Sequence, residues 1–183
     1  MCLICRIDKF LKKQVAKWRK CVFRHSIVCP HSDFTMLGSV HLVNKNVTLG
    51  KGVILYPGVC FFGDGPIVIG DNTAIGNNTI IFAHKNGGGV NIGSDCAIAA
   101  NCYIIDSDHG IKSGTPIARQ SFTTKKISIG NDVWLAAGVK VLKGARLSTG
   151  TVVGAQSVVL GTFPENAIVV GIPGKVVKFR SDN

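Results

Sequence analysis

The sequence predicts an all-β parallel solenoid, and three observations carry that expectation: a hexad of aliphatic anchors, small or turn-forming residues at fixed places within each hexad, and few aromatic residues. The hexad is plainest in "ISIGND VWLAAG VKVLKG ARLSTG TVVGAQ SVVLGT", where Ile129, Leu135, Val141, Leu147, Val153 and Val159 stand six apart. "IVIGDN TAIGNN TIIFAH" sets Ile69, Ile75 and Ile81 in the same way, and "VNIGSD CAIAAN CYIIDS" sets Ile92, Ile98 and Ile104. Leu49, Leu55 and Phe61 open the series more loosely. A fixed short period is the mark of stacked coils. Aromatics at 7% and 22 glycines supply the small side chains that thin, close layers need.

Each hexad reads as a short strand followed by a turn. The anchor points inward, and so does the residue four places later: Thr73, Thr79, Cys96, Cys102, Val133, Val139, Ala145, Thr151 and Ser157. Glycine and Asn/Asp take the turn conformations that bulkier residues resist. Three flat faces per coil make a triangular prism whose coils hydrogen-bond to one another around an aliphatic core. Cys96 and Cys102 are then core residues and not ligands. The period does not set the winding sense.

At 183 residues the chain has room for one domain with attachments. The expected division is a basic amphipathic helical arm over 1–30, a solenoid over 38–172 with a loop at 105–126, and a C-terminal tail over 173–183. Apolar runs are broken by glycine and charge well before the roughly 18 residues a membrane span needs. The N-terminus lacks the uninterrupted apolar core of a secretory signal. The expected location is therefore cytoplasmic, at most peripheral to the inner face of the membrane. Seven cysteines without framework spacing point to reduced thiols. Cys2 and Cys5 form a CxxC, but no second pair completes a zinc site, so no metal is expected.

The net charge of +11 is concentrated at the start. Residues 1–25 hold eight basic residues against Asp8 alone. Ile4, Ile7, Leu11, Val15, Trp18 and Val22 fall at helical spacing on one side of this arm, and the other side is cationic. The arm reads either as an interfacial helix drawn to anionic lipid or as a helix docked on the domain or a neighbouring subunit. Nucleic acid is not an expected partner, because no binding motif is present and the hexads offer no base-stacking aromatics.

The rhythm breaks twice. Twenty-five residues separate Ile104 from Ile129, and the polar insert "DSDHGIKSGTPIARQ" carries His109 near its start. A smaller excursion, "AHKNGGGV" at 83–90, lies about one coil earlier, so the two are expected along the same edge.

Over residues 40–180 the chain resembles the hexapeptide-repeat O-acetyltransferases of left-handed β-helix fold, the family of maltose, galactoside and nodulation-factor acetyltransferases and of many polysaccharide-biosynthesis enzymes. The resemblance rests on "IGSDCAIAANCYIIDSDHG", on the "IGNDVW" coil and on the closing "VVGIPGKVVK". It implies left-handed winding, a homotrimer, acetyl-CoA as co-substrate and a carbohydrate acceptor. It also gives His109 a role, as the general base that takes the acceptor hydroxyl's proton. Asp106 or Asp108 could orient the imidazole, and so could a backbone carbonyl. The resemblance further implies acetyl-CoA contacts from Ala137, Ala155, Leu160, Gly161, Lys175 and Lys178, with the two lysines facing the phosphates. Where sugar-acetylating relatives carry an acceptor-binding Asn, this chain has Gly76 beside Asn77 and Asn78. His84, Lys85 and Asn86 on the first excursion are therefore the candidate acceptor contacts, and Trp134 is a candidate for the subunit boundary. The expected function is O-acetylation of a sugar in capsule, O-antigen or exopolysaccharide assembly. N-acetylation of an amino-sugar nucleotide and a non-catalytic scaffold are the alternatives.

Overall fold

In the computed structural model, which describes residues 3–25, 27 and 33–181, the hexads build a left-handed parallel β-helix behind an N-terminal helix. The coils begin at Thr35, earlier than the regular hexads, because Met36 and Leu42 already occupy anchor places in register with Leu55 and Phe61. The first face stacks Thr35–Met36, Ile54–Leu55, Ala74–Ile75, Ala97–Ile98, Trp134–Leu135, Val152–Val153 and Ala167–Val170, all parallel. The second runs from His41–Leu42 to Val158–Val159, and the third from Val47–Leu49 to Thr162–Phe163. The last strand, Lys175–Phe179, turns back antiparallel on Ala167–Val170 and closes the first face.

From Leu49 onward the anchors are buried, Met36 and Leu42 of the first coil only partly, and all nine of the i+4 residues are buried with them. Polar members of that inner ladder find backbone partners. Thr73 Oγ1 donates to the Gly93 carbonyl at 2.8 Å and accepts from the Cys96 amide at 3.1 Å. Thr79 repeats this with Ala99 and Cys102. The Cys96 and Cys102 thiols lie against the carbonyls of Gly130 and Ala136, so both are satisfied core groups. Burial raises both pKa values, which keeps them as thiols.

One regularity emerges only from the register. From the first face to the second the anchors are always six apart (Leu55 to Phe61, Ile75 to Ile81, Ile98 to Ile104, Leu135 to Val141), and from the third to the first likewise (Ile69 to Ile75, Ile129 to Leu135). Every departure falls at the third corner, between second and third faces: Leu42 to Leu49, Phe61 to Ile69, Ile81 to Ile92, Ile104 to Ile129 and, shortened to four, Val159 to Phe163. Left-handed backbone at Asn72, Asp95 and Asp132 lines one regular corner, and at Asn78, Asn101 and Gly138 the other. Short polar side chains and glycine tolerate this conformation, which is why the hexads carry them there.

The helix, Leu3–His25, meets the solenoid through Phe23, buried against Phe34 and Phe61. No described helix is long and apolar enough to cross a membrane. Cys2 and Cys29 lie outside the described residues, as do the side chains of Ile4, Cys5 and Ile7. Among the described residues no cluster of His, Cys, Asp or Glu could hold a metal ion.

Candidate active site

The two excursions leave consecutive coils at the same corner. Residues 84–89 bridge Ile80–Ala83 to Val90–Ile92, and residues 106–126 bridge Tyr103–Ile105 to Ile127–Ile129. The larger is an ordered hairpin. Ser107–Asp108 pairs antiparallel with Thr123–Thr124 as its stem. At its tip the Gln120 side chain accepts from the Lys112 amide at 2.8 Å and donates to the carbonyls of Lys112 and Thr115. Gly110 N–H donates to the Ser121 carbonyl just beyond His109.

His109 is exposed at the foot of this hairpin, and its imidazole packs on Phe122 with ring centroids 4.4 Å apart. The same phenyl ring meets His84 from the smaller excursion at 4.8 Å. Phe122 thus joins the two histidines. The sequence offered no signal for it, since a lone Phe in a polar loop has no period to reveal it. His84 Nδ1 accepts the Asn86 amide at 3.2 Å, the arrangement of an imidazole that carries its proton on Nε2. The Asn86 carbonyl in turn accepts from Thr124 Oγ1, tying the excursions together, while the Lys85 and Asn86 side chains are exposed.

The hydrogen bonds give the two aspartates other work than orienting His109. Asp106 is fully buried, and its carboxylate oxygens accept from the His84 amide at 2.8 Å and the Gly89 amide at 3.2 Å. It braces the smaller excursion from below. A Cβ at Gly87 would come within 2.2 Å of this carboxylate, so the run of glycines leaves room for it. Burial pushes its carboxyl above the usual aspartate range, while the two amides and the nearby His84 act in the opposite direction. Asp108 pairs with Lys143 at 2.9 Å, and Lys143 also reaches the Thr123 hydroxyl, so this ion pair pins the hairpin to the next coil.

The residues expected to meet acetyl-CoA are spread over the prism. Ala137 and Ala155 are exposed on successive coils at the corner between first and second faces, with the Gln156 amide bonded to the Ala137 carbonyl. Leu160 and Gly161 lie exposed at the corner that carries the excursions, and Lys175 and Lys178 stand on the terminal antiparallel strand. Within one chain, then, the first four positions flank the second face from both sides, and the two lysines lie at the end of the first.

No family model matches the chain. WbbJ of Escherichia coli K12, provisionally named a lipopolysaccharide-biosynthesis O-acetyl transferase, is 34% identical over 77% of this chain and 72% of its own. WcaF of the same organism, provisionally named a colanic acid biosynthesis acetyltransferase, is 31% identical over 72% and 69%. Among solved structures, AntD, an N-acyltransferase from Bacillus cereus in complex with dTDP and 3-hydroxybutyryl-CoA, superposes with a TM-score of 0.68 at 19% identity over 85% of this chain and 83% of its own. A left-handed hexapeptide coil with a histidine-bearing loop defines a class of acyl-transfer scaffolds. The chain belongs to the left-handed β-helix, hexapeptide-repeat acetyltransferases.

Proposed function

We propose that the protein is an acetyl-CoA-dependent O-acetyltransferase whose acceptor is a hydroxyl of a sugar in capsule, O-antigen or exopolysaccharide assembly. The observation that carries this reading is the convergence of His109 and His84 on Phe122 where the two excursions meet. One exposed imidazole packs on the ring there, with a second beside it whose Nδ1 accepts the Asn86 amide. Names of the relatives WbbJ and WcaF agree with a cell-surface glycan acceptor.

In this reaction His109 takes the proton from the acceptor hydroxyl as that oxygen attacks the thioester carbonyl. The tetrahedral intermediate collapses by breaking the C–S bond, and the departing thiolate recovers the proton from the imidazolium. Acetyl ester and CoA thiol leave, and His109 is neutral again. His84, Lys85 and Asn86 line the acceptor side. Asp106 acts at one remove, by fixing the backbone from which His84 projects, and Asp108 acts through Lys143 on the hairpin stem.

The co-substrate lies against Ala137, Ala155, Leu160 and Gly161, with Lys175 and Lys178 toward its phosphates, where cations complement several negative charges. Because these positions flank different corners of one prism, the complete site is formed between subunits of a homotrimer. The outer surfaces support such packing. The first face exposes Trp134 and Val170 and the second Phe62, with Leu160 at its edge, whereas the third exposes Val68 but otherwise presents Thr48, Asn91, Ser128, Arg146 and Thr162.

The test is thiol release from acetyl-CoA across sugars, nucleotide sugars, amino-sugar nucleotides and lipid-linked glycans. Turnover with a hydroxyl acceptor should fall about 10² to 10⁴-fold in His109→Ala. Its melting temperature should hold, because the side chain is exposed. Turnover confined to amino sugars would replace the O-acetyl reading with N-acetylation. Undiminished turnover in the variant would remove His109 as the base.

A further inference from the structure

Among its described side chains, the N-terminal helix buries Phe23 and leaves a run of apolar ones open. Phe23 is 5% exposed against the solenoid, but Trp18 is 65% exposed, Leu11 55%, Val22 47% and Val15 45%. These four recur at spacings of four, three and four, one continuous stripe along the helix. A helix recruited only to cap the prism would bury that stripe. Instead, two adjacent grooves of about 370 Å³ each lie between it and the first coil. Leu11, Val15 and Leu37 line one and Trp18, Val22 and Val40 the other, with Arg19 at the lip of both.

Cations surround the stripe. Lys12 and Arg19 stand beside it, and Lys13, Lys17 and Lys20 follow helical spacing around the other side, with Lys20 also over the Phe34 ring at 4.8 Å. Asp8 is the helix's one acidic residue and is paired with Lys12. This combination selects among occupants. A second copy of the chain brings a net charge of +11 toward an already cationic helix, whereas an anionic bilayer accepts the apolar stripe at the acyl boundary and the lysines among its headgroups.

We infer that the helix is a peripheral membrane anchor that docks the enzyme on anionic lipid, with Leu11, Val15, Trp18 and Val22 inserted and the flanking lysines and Arg19 at the headgroups. The inference is independent of the transferase reading and survives its failure.

Sedimentation of the full-length protein with vesicles of phosphatidylcholine alone, or mixed with phosphatidylglycerol, tests it. Binding is expected to the mixed vesicles and to weaken as salt rises. In a Trp134→Phe background Trp18 becomes the single tryptophan, and its emission should shift to the blue on binding. Lys13→Glu with Lys17→Glu should weaken binding at least about 30-fold, since each cation near such a surface contributes roughly fivefold. Leu11→Ser with Trp18→Ser should abolish it without shifting the melting temperature of the solenoid. Equal binding to both vesicle types, or binding unaffected by both double variants, overturns the inference. So does a fall in oligomeric mass of the Leu11→Ser, Trp18→Ser protein in the absence of lipid, because the stripe is then a contact between copies.

Discussion

Two corners of the prism and the third follow different rules. At the two regular corners the chain turns after the same interval on every coil, with Asn72, Asp95 and Asp132 stacked at one and Asn78, Asn101 and Gly138 at the other. At the third the interval grows to eleven residues between Ile81 and Ile92 and to twenty-five between Ile104 and Ile129. The strands on both sides keep register, Tyr103 on Ile80 and Ile127 on Val90, so the coils tolerate the inserts without slipping. Two corners hold the stack together and one is free to vary. The proposed site lies at the free one, where neighbouring coils extrude loops that meet each other.

The contrast is broken most directly in the stack itself. Ile104→Ala, at a fully buried anchor next to the large loop, should destabilise by about 2–5 kcal/mol through lost burial and the cavity left between coils. Ile111→Ala, 85% exposed in the hairpin, should stay within about 0.5 kcal/mol. Denaturant melts of both variants measure the difference. Equal losses would mean that the hairpin belongs to the cooperative core.

The coils were legible in the sequence because their cause is periodic. An inward anchor every six residues and a turn residue between them repeat until the pattern cannot be missed, and Cys96 and Cys102 declare themselves core residues by falling on it. The start at Thr35 was not legible, since Leu42 and Leu49 are already off the interval. The shared corner could be anticipated from the spacing of the inserts, and the structure adds that the small departures of the first two coils fall there too. What the loops do to one another was hidden. Nothing in "DSDHG" says that Asp106 turns inward to hold the amides of His84 and Gly89, because that depends on the coil below. Phe122 is thirteen residues from His109 in a stretch without period, and only the hairpin stem brings them together.

Asp106 sharpens the comparison because it lies where stack and excursion join. Asp106→Asn keeps one acceptor oxygen but sets an amide NH₂ against one of the two backbone N–H groups, a loss of about 1–3 kcal/mol. Its pH dependence has a definite sign. Burial holds the folded pKa above that of the unfolded chain, so the native state binds the proton more tightly. The stability this group contributes is full below the ordinary aspartate value and declines as pH rises through the raised one. Thermal melts from acid toward neutral pH should therefore show the deficit of the Asn variant largest at the acid end and narrowing through that window. A deficit that widens with pH would contradict the raised pKa.

The smallest expected effect separates positioning from chemistry within the excursions. Phe122 is half-exposed and contributes little to the core, yet it touches both imidazoles. An aromatic pair contributes about 0.5–1.5 kcal/mol beyond its buried area, so Phe122→Ala should leave the melting temperature nearly unchanged. The lost constraint should appear in the rate, as a fall in kcat of about tenfold from a misplaced base. Phe122→Tyr keeps the ring and should restore most of the rate. A rise in KM with kcat unchanged would instead make the ring a surface for the acceptor. The test asks whether an excursion at the free corner needs the rigidity that the other two corners have by construction.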